Sequence, residues 1–439
     1  MDKGIKVTAA GASLLDSALK KATQRLLPFL LLLYVLAFLD RVNVGYAKQA
    51  LMRDIGLSES VYAFGAGVFF LGYALFEVPS NLIMHRVGAR AWMCRIMVTW
   101  GFLSACMMFV SSAPIYYILR FLVGVAEAGF FPGVILYLTY WFPAKNRGPI
   151  MGLFYFGAPL AQIIGGPLSG LLLDMDGFGN LHGWQWMFLV EGLLASVVGV
   201  WTFWYLTNRP ANARWLSEDE RIALQSAIDA EDRAKTHHGG ESVLATLCQP
   251  RILYFGLIYC LIQISVYGVT FYLPSHVAGL LNRETGFIVG LVSAIPWIFG
   301  LIAAYAMPRL VGYLGTRNSI SAGALIFSGI GIAISSVDIP SIALVALCIA
   351  TAGFIGAQPI FWTFPTNELT GASAAGGIAL INSMGAIGGF IAPNLKTTAE
   401  NIWGTASAGQ YALAATTVAG AALILFCRPR PDHTRAHLA

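Results

Sequence analysis

From Leu26 to Ala47 the chain reads LLPFLLLLYVLAFLDRVNVGYA, and apolar runs of this kind recur along its whole length. A helix needs about 20 mostly apolar residues to cross the hydrocarbon core of a bilayer. Twelve segments qualify, at 26–47, 61–84, 91–111, 114–137, 149–173, 185–206, 252–274, 286–306, 318–337, 340–363, 374–396 and 406–427. A water-soluble fold would have to bury every one of them in a core, whereas in lipid a helix satisfies its own backbone and needs no cover. Composition agrees with lipid. The chain is 57% hydrophobic and 11% charged, against about 25% charged in soluble domains. The expected fold class is an all-α membrane protein of twelve transmembrane helices.

The longest polar interruption, 207–250, divides the runs into six plus six. The expected organisation is a cytoplasmic N-terminal segment 1–25, a six-helix bundle 26–206, a linker 207–250, a second bundle 252–427 and a tail 428–439. The first apolar run is followed by no small-residue cleavage site and reads as a retained helix, not a signal peptide. Within the linker, WLSEDERIALQSAIDAEDRAK has Ser217 three residues before Glu220, the spacing of a capping box that opens a surface helix. His237 and His238, in the flexible THHGGES that follows, read as solvated. Of 27 Lys and Arg, Arg41 and Arg120 lie deep within spans and Lys48, Arg53, Arg283 and Lys396 fall in the outer loops or at the outer end of a span, leaving 21 on the side of the termini. Cytoplasmic loops are rich in Lys and Arg, so both termini are expected in the cytoplasm.

The halves resemble each other. HRVGAR ends at Arg90 after the second span and GYLGTR ends at Arg317 after the eighth, an offset of 227. The same offset carries Gly129 and Pro132 of GFFPG onto Gly356 and Pro359 of GAQPI, both in the fourth span of their half. Repeats of this sort build secondary transporters, whose binding site lies near the bilayer midplane. The twelve spans thus form two pseudo-symmetric six-helix bundles.

Charges inside spans are costly and usually face partners or water within the protein. Asp40 and Arg41 stand together in FLDRVNVGYA, and Arg120 and Glu127 in ILRFLVGVAEAGFFPG. The last two are seven residues apart, about two helical turns, and so share a face. If both faces line one cavity, the four form a network with no net charge, which lowers the burial cost of each member. A carboxyl group that alternates between wet and dry surroundings can load and release a proton, and an arginine fork suits an anionic substrate. The bland alternative is an inert network that orients the first and fourth spans. Glu77 and Glu191 read as structural acids near span ends. The second half carries no acid or base deep in its spans and offers neutral polar groups instead: Gln263, Tyr267, Tyr272, Gln358, Trp362 and Asn382, with Tyr73 and Gln162 added from the first half.

Other classes find little support. Cysteines 94, 106, 248, 260, 348 and 427 show no metal-ligand spacing and read as packing residues. No Ser-His-Asp constellation, phosphate loop or metal cluster is visible, so neither enzyme nor cofactor is expected. A net charge of +5 needs no nucleic acid to explain it.

FLDRVNVGYA, GYALFEVPSNLIMHRVGAR, ILRFLVGVAEAGFFPGVILYLTYWFPA and AAGGIALINSMGAIGGFIAP carry a resemblance that covers nearly the whole chain. They are similar to the major facilitator superfamily, and within it to the anion:cation symporters. The bacterial permeases for tartrate, phthalate and 4-hydroxyphenylacetate look nearest, with galactonate transporters and sialin more distant. The resemblance implies a proton-coupled symporter of the bacterial inner membrane that imports a small organic carboxylate by alternating access, acting as a monomer without cofactor. It implies that Asp40 and Glu127 couple protons, that Arg41 meets the substrate carboxylate, and that Arg120 pairs with the acids between steps. Tyr73 and Asn382 fall where galactonate-type carriers hydrogen-bond their substrate, and Gln162, Gln263, Tyr267 and Trp362 complete the expected substrate-binding set. In the gating motif after the second span, Arg86, Gly88 and Arg90 match, while His85 replaces an aspartate. Phe38 stands for a tyrosine and Ala158 for a substrate-binding glutamine of the sugar-acid carriers, which favours tartrate-like or aromatic acids over polyhydroxylated ones. The alternatives are a proton-independent facilitator or antiporter and, more remotely, a non-transporting membrane sensor.

Overall fold

The structure is a computed structural model that describes residues 9–236, 249–368 and 371–427. His237, His238, Cys248 and the expected tail 428–439 lie outside the described residues. Among the described residues fifteen α-helices follow one another and no strand occurs: α1 Ala9–Ile55, α2 Glu59–Val87, α3 Ala89–Ala105, α4 Ala113–Glu127, α5 Phe130–Trp141, α6 Ala144–Tyr155, α7 Gly157–Leu173, α8 Gly183–Tyr205, α9 Glu218–Thr236, α10 Pro250–Leu281, α11 Phe287–Leu314, α12 Arg317–Ile334, α13 Pro340–Glu368, α14 Gly371–Trp403 and α15 Ala406–Leu425. Among the described residues, twelve stretches of helix are long and apolar enough to cross a membrane, with α4–α5 and α6–α7 each supplying one span from two pieces. The chain is a multi-pass membrane protein.

Several helices differ from their expected bounds. α1 has 47 residues and absorbs both the segment before residue 26 and the outer loop after residue 47. Hydropathy marks the length that crosses lipid, and a helix continues past it wherever polar side chains find partners. Lys48 is therefore not a loop residue: it is buried in α1 and paired with Glu59 at 2.7 Å. Lys396 likewise lies within α14, ion-paired with Glu400 one turn on and 4.1 Å from the Tyr272 ring centre. Near its C-terminal end α14 thus holds a buried lysine paired with a half-buried glutamate, in a half expected to offer neutral groups deep in its spans.

The fourth span is broken. α4 ends at Glu127, Ala128 is extended, Gly129 takes the left-handed conformation at φ +85°, and α5 starts at Phe130. A side chain at Gly129 would also run into Ser80, whose Cβ lies 2.6 Å from the position a Cβ would take. At the corresponding place in the second half, α13 runs unbroken through Gly356 and Pro359. The repeat is legible in sequence, yet only its first copy carries the break.

The residues group into two units, one of Met1–Gly239 with Glu284–Leu291, the other of Gly240–Arg283 with Val292–Ala439. In the first, the backbones of α2 and α4 touch: a Cβ at Gly124 would land on the Phe69 carbonyl, and one at Gly72 would sit 2.5 Å from the Phe121 carbonyl oxygen. This contact sets the charged face of α4 against Phe69 and Tyr73 of α2. α9 docks on the same unit. Its capping box forms as expected, with Ser217 N–H donating to Glu220 at 3.0 Å and Glu220 N–H to Ser217 Oγ at 3.3 Å. The Glu220 carboxylate also accepts from Lys21 Nζ and Ser17 Oγ of α1, each at 2.7 Å. In the second unit α10 packs closely on α14, where Gly388 faces the Cys260 carbonyl and Gly385 the ring of Tyr259.

Candidate functional site

The buried stripe of α4 includes Tyr116, Arg120, Val123 and Glu127, a 4–3–4 spacing that keeps one face of a helix inward. Both charges of α4 therefore point into the first unit, with Arg120 1% and Glu127 0% exposed. On α1, Asp40 and Arg41 are 4% and 8% exposed. Sequence neighbours on a helix diverge by about 100°, and these two face different helices.

Arg41 turns to α4 and α2. Its Nε donates to Glu127 Oε1 at 2.8 Å and its Nη2 donates to the same oxygen. The guanidinium stands 4.9, 5.0 and 5.5 Å from the ring centres of Tyr73, Phe38 and Phe69. Tyr73 is buried and hydrogen-bonds to Arg41. The second oxygen of Glu127, Oε2, is buried and has no hydrogen-bond partner.

Asp40 turns to α3. It accepts from Trp100 Nε1 at 2.9 Å and from Ser104 Oγ, with Asn43 Nδ2 more distant at 3.3 Å. All three donors are neutral. Arg120 lies in electrostatic range of both acids, yet it forms no ion pair among the described residues. Its Cζ sits 4.9 Å over the Phe69 ring, and its Nε and Nη2 are buried with no hydrogen-bond partner. The expected four-charge network therefore resolves into one ion pair, one acid held by neutral donors, and one arginine with unused N–H groups. Arg120 pairs with neither acid in this arrangement, although Glu127 Oε2 has no hydrogen-bond partner.

The other expected residues fall as follows. Gln162 is buried on α7, whose Gly165 meets Leu39 of α1. In the second unit, Gln263 and Tyr267 are buried on α10. Trp362 on α13 stands edge-on to Tyr259 at 4.9 Å, and Gln263 and Tyr259 both line the space beside Gly385 of α14. Gln263 Oε1 and Trp362 Nε1 are buried with no hydrogen-bond partner. Asn382 lies half-buried on α14. The segment expected to gate forms a tight turn between α2 and α3: Gly88 takes φ +96°, Arg90 N–H donates to Asn208 at 2.9 Å, and the Arg90 guanidinium lies 4.2 Å over Phe203. His85 and Arg86 are exposed and stand apart from these contacts.

Sequence reasoning missed three residues that join Asp40: Trp100, Ser104 and Asn43. Asn43 carried a signal, since it follows Asp40 by three residues and so shares its face. Glu191 of α8, read as structural, is 3% exposed and accepts from Asn43 at 3.0 Å and from Ser169 Oγ at 2.7 Å.

Twelve spans with a buried, aromatic-lined arginine–carboxylate pair define a membrane protein built to handle charge inside the bilayer. The sequence matches the Major Facilitator Superfamily over residues 30–393, and the chain belongs to that family of membrane transporters. The inner membrane transport protein RhmT of Escherichia coli (strain K12) is 46% identical over 95% of this chain and 96% of its own length. A putative tartrate transporter of Agrobacterium vitis is 42% identical over 94% and 96%. Among solved structures, the xylose transporter XylE from E. coli in a partially occluded inward-open conformation shares the fold at TM-score 0.72, with 15% identity over 94% of this chain and 99% of that one. The protein is a transporter of organic substrates and not an enzyme.

Proposed function

We propose that the protein is a symporter of the bacterial inner membrane, acting as a monomer with both termini cytoplasmic, that carries a small organic carboxylate together with protons. The observation that carries this reading is the Arg41–Glu127 pair. Glu127 occupies the fork of Arg41 through one oxygen and leaves its other oxygen, buried, with no hydrogen-bond partner. A proton taken by Glu127 removes the charge that holds Arg41, and the freed fork can accept a substrate carboxylate in a bidentate hydrogen-bonded pair. Substrate and proton then promote each other's binding, and linkage requires the two effects to be equal.

Phe38, Phe69 and Tyr73 around the guanidinium favour a flat or short acid over a long hydroxylated chain, and tartrate-like hydroxy acids and aromatic acids fit this lining. Asp40 is the second proton-bearing acid and Arg120 the cation that steadies whichever acid is ionised. The substrate-facing hydrogen-bonding groups are Tyr73 and Gln162 from the first unit and Gln263, Tyr267, Trp362 and Asn382 from the second. Gln263 Oε1 and Trp362 Nε1 support this role, as an acceptor and a donor with no partner of their own. His85, Arg86, Gly88 and Arg90 form the gate.

The test is transport in proteoliposomes. For the wild type, addition of substrate acidifies the lumen and alkalinises the medium. In Glu127→Gln, proton-driven accumulation fails while exchange of labelled substrate across the membrane persists. Full accumulation by that variant overturns the assignment of Glu127. Transport by the wild type with no pH change identifies a facilitator or antiporter instead. Arg41→Ala abolishes substrate binding measured by thermal shift, and unchanged affinity removes its role.

A further inference from the structure

The carboxyl group of Glu191 takes no part in the cycle described above, yet it is tied to a group that does. One Asn43 amide nitrogen bridges the two acids, donating to Glu191 Oε2 at 3.0 Å and to Asp40 Oδ1 at 3.3 Å. Asn43 is 0% exposed and so is Ser169, the other donor to Glu191. Neither carboxyl forms an ion pair among the described residues. The surroundings of Glu191 contain little else that could carry charge. α7 holds no titratable residue between Gly157 and Leu173, and Glu191 is the one acid or base of α8. On α3, Arg90, Cys94 and Arg95 lie toward the end where Met97 meets Gly199, about two turns from Glu191, and Cys106 follows the helix. On α1, Arg41 is turned to Glu127 and Lys48 to Glu59. Asp40 is the charged group that acts on Glu191.

Two ionised carboxylates sharing one neutral amide in a water-poor site repel each other, and neither has an ion-pair partner to offset the repulsion, Arg120 acting on Asp40 from beyond ion-pair distance. One negative charge shared by the two acids removes that cost. The protonated partner then needs an acceptor for its O–H, and the site supplies one: Asn43 Oδ1 is buried with no hydrogen-bond partner. An amide offers a donor edge and an acceptor edge. Rotated about its last side-chain bond, Asn43 donates to whichever acid is ionised and accepts from whichever is protonated.

We propose that Glu191 is a third proton-carrying group of the transport cycle, linked to Asp40 through Asn43 so that the two acids hold one proton between them. Each acid exchanges its proton with water when its side of the protein is open, and loading one favours release from the other. This deepens the symport reading and rests on it. The number of protons moved per substrate, and the pH range over which transport runs, then depend on a residue that does not touch the substrate.

The experiment measures the pH dependence of substrate uptake and the proton-to-substrate ratio in proteoliposomes for wild type, Glu191→Gln and Ser169→Ala. Glu191→Gln keeps the shape and the Ser169 and Asn43 neighbours but removes one charge, so Asp40 ionises more easily and the midpoint of the pH profile moves toward acid by about one unit. Ser169→Ala removes a donor to the ionised Glu191 and moves the midpoint the other way. Infrared difference spectra across the same pH range show a protonated-carboxyl C=O band in the wild type that Glu191→Gln loses. A wild type that moves no protons defeats the symport reading itself. A wild type that couples protons, with both variants holding its midpoint and its carboxyl band at any rate of uptake, overturns the role of Glu191 alone. Should Glu191→Gln fail to fold, the Ser169→Ala shift decides.

Discussion

At the scale of single residues, helical phase decides the partners of the buried charges: Arg41 turns to Glu127, and Asp40 to Trp100 and Ser104. Asp40, Arg41, Arg120 and Glu127 were legible because a charge in a lipid-length run has few innocent explanations. Their pairing was not, because helical phase separates Asp40 from Arg41 and gives each its own neighbours, and the donors Trp100 and Ser104 carry no mark that distinguishes them from packing residues. The geometry of Arg41 leads to a further prediction. Two of its N–H groups converge on one oxygen of Glu127 while the guanidinium lies between the rings of Phe38, Phe69 and Tyr73. A lysine keeps the charge but loses the planar fork and its fit between rings. Arg41→Lys is expected to weaken substrate binding by about tenfold or more, or at least ~1.4 kcal/mol, as read by titration calorimetry, with the folded protein retained. Binding within twofold of wild type would show that charge alone suffices.

At the scale of elements, span count follows from hydropathy, but helix ends and breaks do not. The stretch 114–137 reads as one continuous span, and only backbone geometry shows that it stops at Glu127 and restarts at Phe130. The break frees the last carbonyl groups of α4 and lets Glu127 end its helix instead of lying mid-cylinder. Gly129 makes this possible, since an L side chain at φ +85° costs roughly 1–2 kcal/mol and would also collide with Ser80. Gly356, its counterpart in the repeat, has no such backbone demand, and a Cβ there would meet the Met307 side chain at 3.0 Å and the Ala303 Cβ at 3.1 Å, tight contacts but short of the overlap with Ser80 at Gly129. Gly129→Ala should therefore lower the melting temperature and reduce transport severalfold, while Gly356→Ala should leave transport within about twofold. Equal effects at the two positions would mean that the break has no bearing on Glu127.

At the scale of the molecule, twelve spans in six plus six are countable because lipid sets a length that no soluble core imposes. What lies at the membrane edge is harder to read, because a polar amphipathic segment looks alike whether it floats or docks. Of the N-terminal segment expected at 1–25, residues 9–25 extend α1, and Ser17 and Lys21 there reach Glu220 across about 200 residues of chain. That contact makes the linker helix part of the first unit and gives the protein a measurable acid response. The Lys21 ammonium, the Ser17 hydroxyl and the Ser217 amide hold the Glu220 carboxyl down to about 2 from a usual value of 4.5. Because the folded form binds this proton less readily than the unfolded chain does, the contact stabilises the fold fully above about pH 4.5. The stabilisation declines as the pH falls toward 2. Lys21 is half exposed, so solvent screens the pair and the effect is modest. Melting temperatures in detergent between pH 7 and pH 3 should fall more steeply for the wild type than for Glu220→Gln, which starts lower at pH 7 and meets the wild-type curve at the acid end. Parallel curves would show that the clasp between α1 and α9 contributes nothing to holding the linker, and that the buried Leu224 and Ile228 and the Arg147–Glu231 ion pair keep α9 in place.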